Sequence, residues 1–238
     1  MLSGLQKWID GVNATHVIFC ADVKPYVRLK QYPEYKAGRV NDEDLVEKKK
    51  VTETQFLELC KVMEWPVWGV TGFEYDDLVS VIAIHYRHRF KTITAVSNDS
   101  DLFQLFNWNG FQMWRGNKGL YTKAEYSKDW GMSYDDLILS LAIVGTHNSV
   151  SGVKGIGEVK VKKLIANPPA LRTVLKDHKE TIERNLSLIK LPHSEFPMDE
   201  RMPKITHPFD ERKLYRYCGR YDINITKAML DAFERLGK

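Results

Sequence analysis

Cysteine is scarce. The three present, Cys20, Cys60 and Cys218, lie far apart and never form a C-x-x-C pair. That argues against a disulfide framework and a thiolate zinc site, so they read as buried apolar thiols. No apolar run approaches the roughly 18 residues of a membrane span, and Met1 is not followed by the basic and apolar segments of a secretory signal. The expectation is a cytoplasmic chain without a membrane partner. Internal repeats and low-complexity tracts are absent too. Neither sign of charge dominates: 35 Lys and Arg stand against 31 Asp and Glu, a net charge of +4. A polyanionic partner is therefore permitted but not demanded, and the placement of the charges carries the information. What is present, 43% apolar and 28% charged residues over 238 positions, is the composition of an ordinary globular chain. The length suits one large domain, or one domain with a small appendage, burying roughly 70% of its unfolded surface.

Apolar residues at Leu2, Leu5, Ile9 and Val12 predict an opening helix. Residues 15–22, T-H-V-I-F-C-A-D, predict a strand covered on both faces that ends in a carboxylate. A basic and aromatic stretch, residues 27–39, follows, then a charged run over 41–50 and helical spacing at Phe56, Leu59, Cys60 and Met63. Residues 66–72 predict a short strand, 77–90 a helix, 92–97 a strand, 111–114 and 120–122 further short strands, and 134–144 an apolar helix. Alternating strands and helices predict an α/β fold with a mainly parallel central sheet flanked by helices. After residue 145 the pattern predicts helices and loops without strands, with a poorly periodic patch over 191–208.

Three of these strands run into acid: Asp22; Glu74 with Asp76 and Asp77; and Asp99 with Asp101. In an open parallel sheet the strand C-termini share one edge, so six carboxylates from distant segments are expected in one crevice. Two unit charges about 4 Å apart repel by about 4 kcal/mol at an effective dielectric of 20. Either protons or divalent cations must relieve the cluster. A set of hard oxygen donors without His or Cys suits Mg²⁺ or Mn²⁺, as one ion or two. Taken singly, each acid also fits a plain role, since Asp76, Asp77 and Asp99 stand where helix and turn caps stand.

Further on, residues 151–165 place Gly152, Gly155 and Gly157 just before a helix bearing Lys160, Lys162 and Lys163, with Lys154 inside the turn. Glycines let a backbone approach a phosphate closely, and free N–H groups at a helix start attract anions. A plain connecting turn before a solvated lysine face would look the same.

Together these segments resemble the flap endonuclease and 5′→3′ exonuclease family, the PIN-like nucleases found as phage 5′ nucleases and as the N-terminal nuclease domain of bacterial DNA polymerase I. The resemblance covers residues 15–165. F-C-A-D ending at Asp22, followed by Y-P-E-Y-K-A-G-R ending at Arg39, is similar to the strand-end aspartate and Y-K-x-N-R segment; F-E-Y-D-D ending at Asp77 is similar to E-A-D-D, with Tyr75 in place of alanine; S-N-D-S-D ending at Asp101 is similar to S-x-D-x-D. G-V-K-G-I-G, Gly152 to Gly157, matches the glycine turn of a helix–three-turn–helix.

The resemblance implies a PIN-like nuclease domain over 1–144 and a helical DNA-binding region over 145–238. It implies metal-assisted hydrolysis of phosphodiesters in DNA bearing a free 5′ end or flap, in phage or bacterial replication or repair, and a cytoplasmic location in the host if the chain is phage-encoded. Asp76, Asp99 and Asp101 are the expected direct ligands. Asp22, Glu74 and Asp77 are expected to ligate directly or through water. Lys36 is expected in catalysis, and Arg28, Lys30, Tyr35 and Arg39 at the scissile phosphate and unpaired strand. The glycine turn with its lysines is expected on duplex backbone, with K⁺ held there in some members, and residues 41–64 correspond to the arch.

Two departures stand out. The family's first strand and its aspartate have no counterpart before Leu2, which leaves three expectations open: a truncated start, a partner chain that supplies the strand, or a real loss. The family's G-D-x-x-D-N reads here as G-T-H-N-S-V from Gly145 to Val150, without either aspartate. Two further readings stay open: a catalytically weakened relative that binds branched DNA, and an aspartate-based small-molecule phosphotransferase using Asp99 and Asp101.

Overall fold

A computed structural model describes residues 2–38, 43–146 and 150–236. In chain order the elements are α1 (Leu2–Val12), β1 (Phe19–Cys20), α2 (Val27–Gln31), α3 (Glu43–Met63), β2 (Val67–Trp68), α4 (Tyr75–Tyr86) and β3 (Ile93–Val96). A 3₁₀ segment (Ser100–Asn107) leads to β4 (Phe111–Arg115), β5 (Gly119–Tyr121), α5 (Lys123–Trp130) and α6 (Tyr134–Val144). The remainder comprises β6 (Gly145–Thr146), β7 (Val150–Ser151), α7 (Glu158–Ile165), α8 (Pro168–Asp177), α9 (Lys179–Ile189), α10 (Glu211–Arg220) and α11 (Lys227–Arg235). No helix of the described residues is long and apolar enough to cross a membrane.

The α/β alternation is observed, but the sheet is shorter than the apolar runs suggest. β1 pairs in parallel with β2, and β3 in parallel with β4, whose other edge takes β5 antiparallel. Among the described residues these two fragments are not hydrogen-bonded to each other. Of the strand expected over 15–22, only Phe19 and Cys20 pair. The strand-free expectation after residue 145 is corrected: β6 and β7 form a short antiparallel hairpin. The irregular patch over 191–208 contains neither helix nor strand.

Packing runs across residue 144. Leu2, Leu5 and Ile9 of α1 share one core with Leu59 and Met63 of α3, Leu214 of α10 and Phe233 of α11. A second core joins the β3–β4–β5 sheet to the aromatic side of the 3₁₀ segment through Phe103, Phe106, Phe111 and Tyr126. A third, around Ile143, Val161 and Ile182, locks α7 and α9 onto α6. The last turns of α3 are buried, while Glu47 to Thr54 are exposed throughout.

Between β1 and β3 lies a half-open cavity of about 590 Å³, lined by residues of both strands and of α1 and α4.

Candidate metal centre

Three connections leave the sheet at a common edge. Asp22 follows β1, Glu74 precedes α4 and Asp99 follows β3. The start of α4 is fixed by its own acids: Asp77 Oδ2 accepts the Glu74 N–H at 3.2 Å, capping the first turn. Asp99 caps the 3₁₀ segment, its Oδ1 accepting the Asp101 N–H at 3.0 Å, while its own N–H donates to Ser97 Oγ at 3.0 Å. For Asp99, capping and membership of an acid group are therefore not alternatives. The result is that one carboxylate oxygen each from Asp76, Asp99 and Asp101 lie within 4.8 Å of one another.

Burial pushes the Asp76 carboxyl up to about 8; nearby Arg28 pulls it down, while Asp77, Glu74 and Asp101 push it further up. These three acids thus form a group whose joint ionisation is costly. All donors are hard oxygens, the set that fits Mg²⁺ or Mn²⁺.

Glu74 and Asp77 are neutralised by the chain itself. Arg28 donates from both terminal nitrogens to Asp77, at 2.5 and 2.8 Å, lies 3.2 Å from Glu74, and donates its Nε–H to the Leu188 carbonyl at 2.8 Å. The His193 N–H adds a fourth bond to Asp77, at 2.8 Å. Glu74 accepts the Tyr35 hydroxyl at 2.8 Å and pairs with Lys36, whose backbone adopts φ +61°. Asp22 is exposed and accepts the Tyr75 N–H at 2.7 Å and the Tyr26 hydroxyl at 3.3 Å.

Several expectations are corrected by these contacts. Asp77 is 0% exposed and both of its oxygens are taken by protein donors, so it is not placed to ligate an ion. Glu74, 1% exposed, likewise has both oxygens engaged by Tyr35, Lys36 and Arg28. Arg28, expected on nucleic acid, is 2% exposed and cannot reach a phosphate; Tyr35, expected to stack on a base, is 6% exposed with its hydroxyl committed to Glu74. Lys36 faces Glu74 rather than the three-acid group. Lys30 is exposed, and Arg39 lies outside the described residues.

At the glycine turn, Gly157 precedes α7 and Gly155 adopts φ +79°. Gly152 has a packing reason to be glycine: a Cβ there would meet the Val144 carbonyl at 2.1 Å. Lys154, Lys160, Lys162 and Lys163 are exposed, with the Lys160 amine donating to the Gly155 carbonyl at 3.3 Å. Of the positions where the resemblance expects two further acids, Thr146 belongs to β6, while His147 and Asn148 lie outside the described residues.

Tyr75 enters the sequence reading only as a departure from a motif. The Tyr75 hydroxyl donates to Asp99 Oδ2 at 2.9 Å, so this residue reaches both strand-end acids, Asp22 through its N–H and Asp99 through its phenol. An aromatic residue between two acids at a helix start was the available signal. His193, 116 positions from Asp77, left none.

Arg28→Met is expected to lower unfolding stability by about 3–5 kcal/mol, because Asp77 would remain buried without its cation. Denaturant unfolding measures this, and Arg28→Met with Asp77→Leu should recover part of the loss. A double variant no more stable than the single one would show that the pair is not the reason.

A family model described as the 5′-3′ exonuclease N-terminal resolvase-like domain matches residues 1–131. The 5′-3′ exonuclease of Aquifex aeolicus is 26% identical over 187 residues, covering 74% of this chain and 63% of that protein. The thermostable DNA polymerase I of Thermus thermophilus is 28% identical over 170 residues, covering 71% of this chain and 20% of the polymerase. The chain thus spans under two thirds of the first relative and a fifth of the second. Its fold is similar to that of the T5 5′-exonuclease, solved with divalent zinc ions bound, at a TM-score of 0.66 and 20% identity, over 98% of this chain and 87% of the other. With the family model covering more than half of the sequence, from α1 through α5, the chain belongs to the 5′-3′ exonuclease family through its N-terminal resolvase-like domain.

Proposed function

We propose that the chain is a metal-dependent 5′→3′ exonuclease and 5′-flap endonuclease that hydrolyses phosphodiester bonds in DNA during replication or repair. The observation that carries this reading is the convergence of Asp76, Asp99 and Asp101 within 4.8 Å, while Arg28 and Lys36 are spent on Glu74 and Asp77.

Asp76, Asp99 and Asp101 would hold Mg²⁺ or Mn²⁺, with Asp22 at the exposed margin acting through water. When bound, such ions lower the pKa of an attacking water and neutralise charge on the phosphate and leaving oxygen. Tyr75 orients Asp99 by its hydroxyl bond, and Ser97 fixes the turn behind it. The Gly152–Gly157 turn with Lys154, Lys160, Lys162 and Lys163 offers exposed cations for duplex backbone, with K⁺ a candidate at the glycines. The exposed half of α3, with Lys48, Lys49 and Lys50, suits passage of an unpaired strand. A chain that supplies a further strand to the divided sheet belongs to the same reading.

Asp99→Asn should abolish Mg²⁺-dependent cleavage of a labelled 5′-flap duplex while leaving its binding nearly unchanged; undiminished cleavage would remove Asp99 from the site. Replacing Lys160, Lys162 and Lys163 by Ala should make the plot of log affinity against log salt shallower, by at most about 0.9 for each phosphate no longer neutralised. An unaltered slope would argue against backbone gripping.

The raised Asp76 carboxyl fixes a further sign. Its ordinary value is 3.8 and its folded value about 8, so the folded state holds the proton more tightly. The stability this provides is full below about pH 4 and is lost as pH rises through about 8. An ion that replaces the proton restores it. The Mg²⁺-induced rise in Tm should therefore be larger at pH 8.5 than at pH 6, and Asp76→Asn should flatten that difference; equal rises in the unsubstituted protein at both pH values would contradict the assignment.

A further inference from the structure

We infer that the cavity where α4, the 3₁₀ segment, α6 and the stretch after α9 meet is a docking site for an acidic peptide segment of a partner protein, which seats one aromatic side chain in the cavity and sets its carboxylates on Arg87 and Lys190.

The cavity holds about 170 Å³. One of about 150 Å³ accepts benzene, so this volume suits a single phenyl group. Its floor is apolar, built from buried Ala83 and Leu105 and half-buried Ile138. Trp108 forms a wall, and Ile84 is 38% exposed, so the apolar lining reaches the molecular surface.

The rim carries the charge. Arg87 closes α4 and Lys190 closes α9; both are exposed, and neither pairs with a carboxylate among the described residues. No acid occurs in the sequence between Asp77 and Asp99, while Arg89 and Lys91 add exposed cations just after Arg87. Lys190 is braced from within. The Gln104 amide, 4% exposed, donates to the Ile189 carbonyl at 3.0 Å and accepts the Leu191 N–H at 3.1 Å, which fixes the residues on either side of Lys190. A rim set in advance lowers the ordering cost of binding.

Asp135 and Asn107 share that rim, and the mixture selects the partner. A nucleic-acid backbone brings negative charge and acceptor oxygens, which Asp135 opposes. A peptide brings N–H donors for Asp135 as well as carboxylates for the two cations, and its ring fills the floor. The site stands apart from the acid group. Between Asp77 and Arg87 the helix advances about 15 Å, at about 1.5 Å per residue, so a docked segment leaves Asp76, Asp99 and Asp101 open. The cavity would hold its partner whether or not those acids cut DNA.

The probe is the peptide acetyl-Asp-Asp-Phe-Asp-Asp-amide, titrated into the full chain without DNA or divalent ions. Saturable shifts are expected in the nuclear magnetic resonance signals of the Ile84 and Ile138 methyl groups and the Trp108 indole N–H. Replacing the phenylalanine of the peptide by alanine should weaken binding by about tenfold or more. Arg87→Glu together with Lys190→Glu should weaken it by about tenfold or more, with Tm nearly unchanged because both side chains are exposed. Absence of saturable shifts, equal binding of the alanine peptide, or undiminished binding to the double variant overturns the proposal. So does a thymidine pentanucleotide that shifts the same signals equally at equal concentration, which would make the cavity a nucleic-acid site. No bond is cleaved in these titrations, so their failure leaves the Asp99→Asn test standing, and an inactive nuclease leaves the titration result standing.

Discussion

The guanidinium of Arg28 is buried among groups from three distant parts of the chain. Asp77 and Glu74 take its terminal nitrogens, and the Leu188 carbonyl at the end of α9 takes its Nε–H. A buried ion pair of this kind is weak evidence for net stability, because desolvation offsets most of the attraction. Its effect is on arrangement. With the fork satisfied on both sides, α2, the start of α4 and the end of α9 have few alternative positions that leave no charge unpaired. Asp77 extends the constraint through the His193 N–H to the irregular segment after α9.

That constraint sorts the acids. Six carboxylates gathered at one edge would oppose folding if all were ionised and none paired. The chain resolves this by partition: Glu74 and Asp77 are met by Lys36, Arg28 and Tyr35, while Asp76, Asp99 and Asp101 remain grouped. Adjacent residues thus have opposite fates, and the helix explains why. Asp77 sits at the third position of α4, turned back to cap the Glu74 N–H and inward to Arg28, whereas Asp76 emerges on the side facing the turn after β3. A one-residue shift in the helix start would exchange the roles and place the unpaired acid in the core.

The strand-end acids were legible in the sequence because strand C-termini share an edge in any parallel sheet, whatever the strand lengths. The helices were legible from periodicity, as in α1, α4 and α6. The assignment of basic residues was not. Arg28 and Lys30 are two positions apart on a five-residue helix, and sequence alone treats them alike; burial separates them, because Arg28 faces partners 49 and 160 positions away. Tyr35 was misread for the same reason, since an aromatic residue in a basic stretch suits a base as well as it suits Glu74. The short β6–β7 hairpin could not be read because two-residue strands carry no periodicity. The divided sheet was hidden too: the apolar run over 15–22 suits a strand, but pairing needs neighbours, and only Phe19 and Cys20 find one in β2.

The acid group and the glycine turn are coupled by packing. The Asn185 side chain on α9 donates to the Ala142 carbonyl of α6 at 2.8 Å and to the Ser151 carbonyl of β7 at 3.0 Å, while Arg184 donates to the same Ser151 carbonyl and lies over the Tyr32 ring at 4.7 Å. Three residues further along α9, Leu188 packs with Tyr35 and Val150 and accepts the Arg28 bond. One helix therefore fixes the entry to the turn at its middle and the Arg28–Asp77 pair at its end. From Asn185 to Leu188 the helix advances only about 1.5 Å per residue, so the entry to the turn and the Arg28–Asp77 pair are held close together. Asp77, held by Arg28, adjoins Asp76 of the acid group, so the turn and that group are tied through one packed helix.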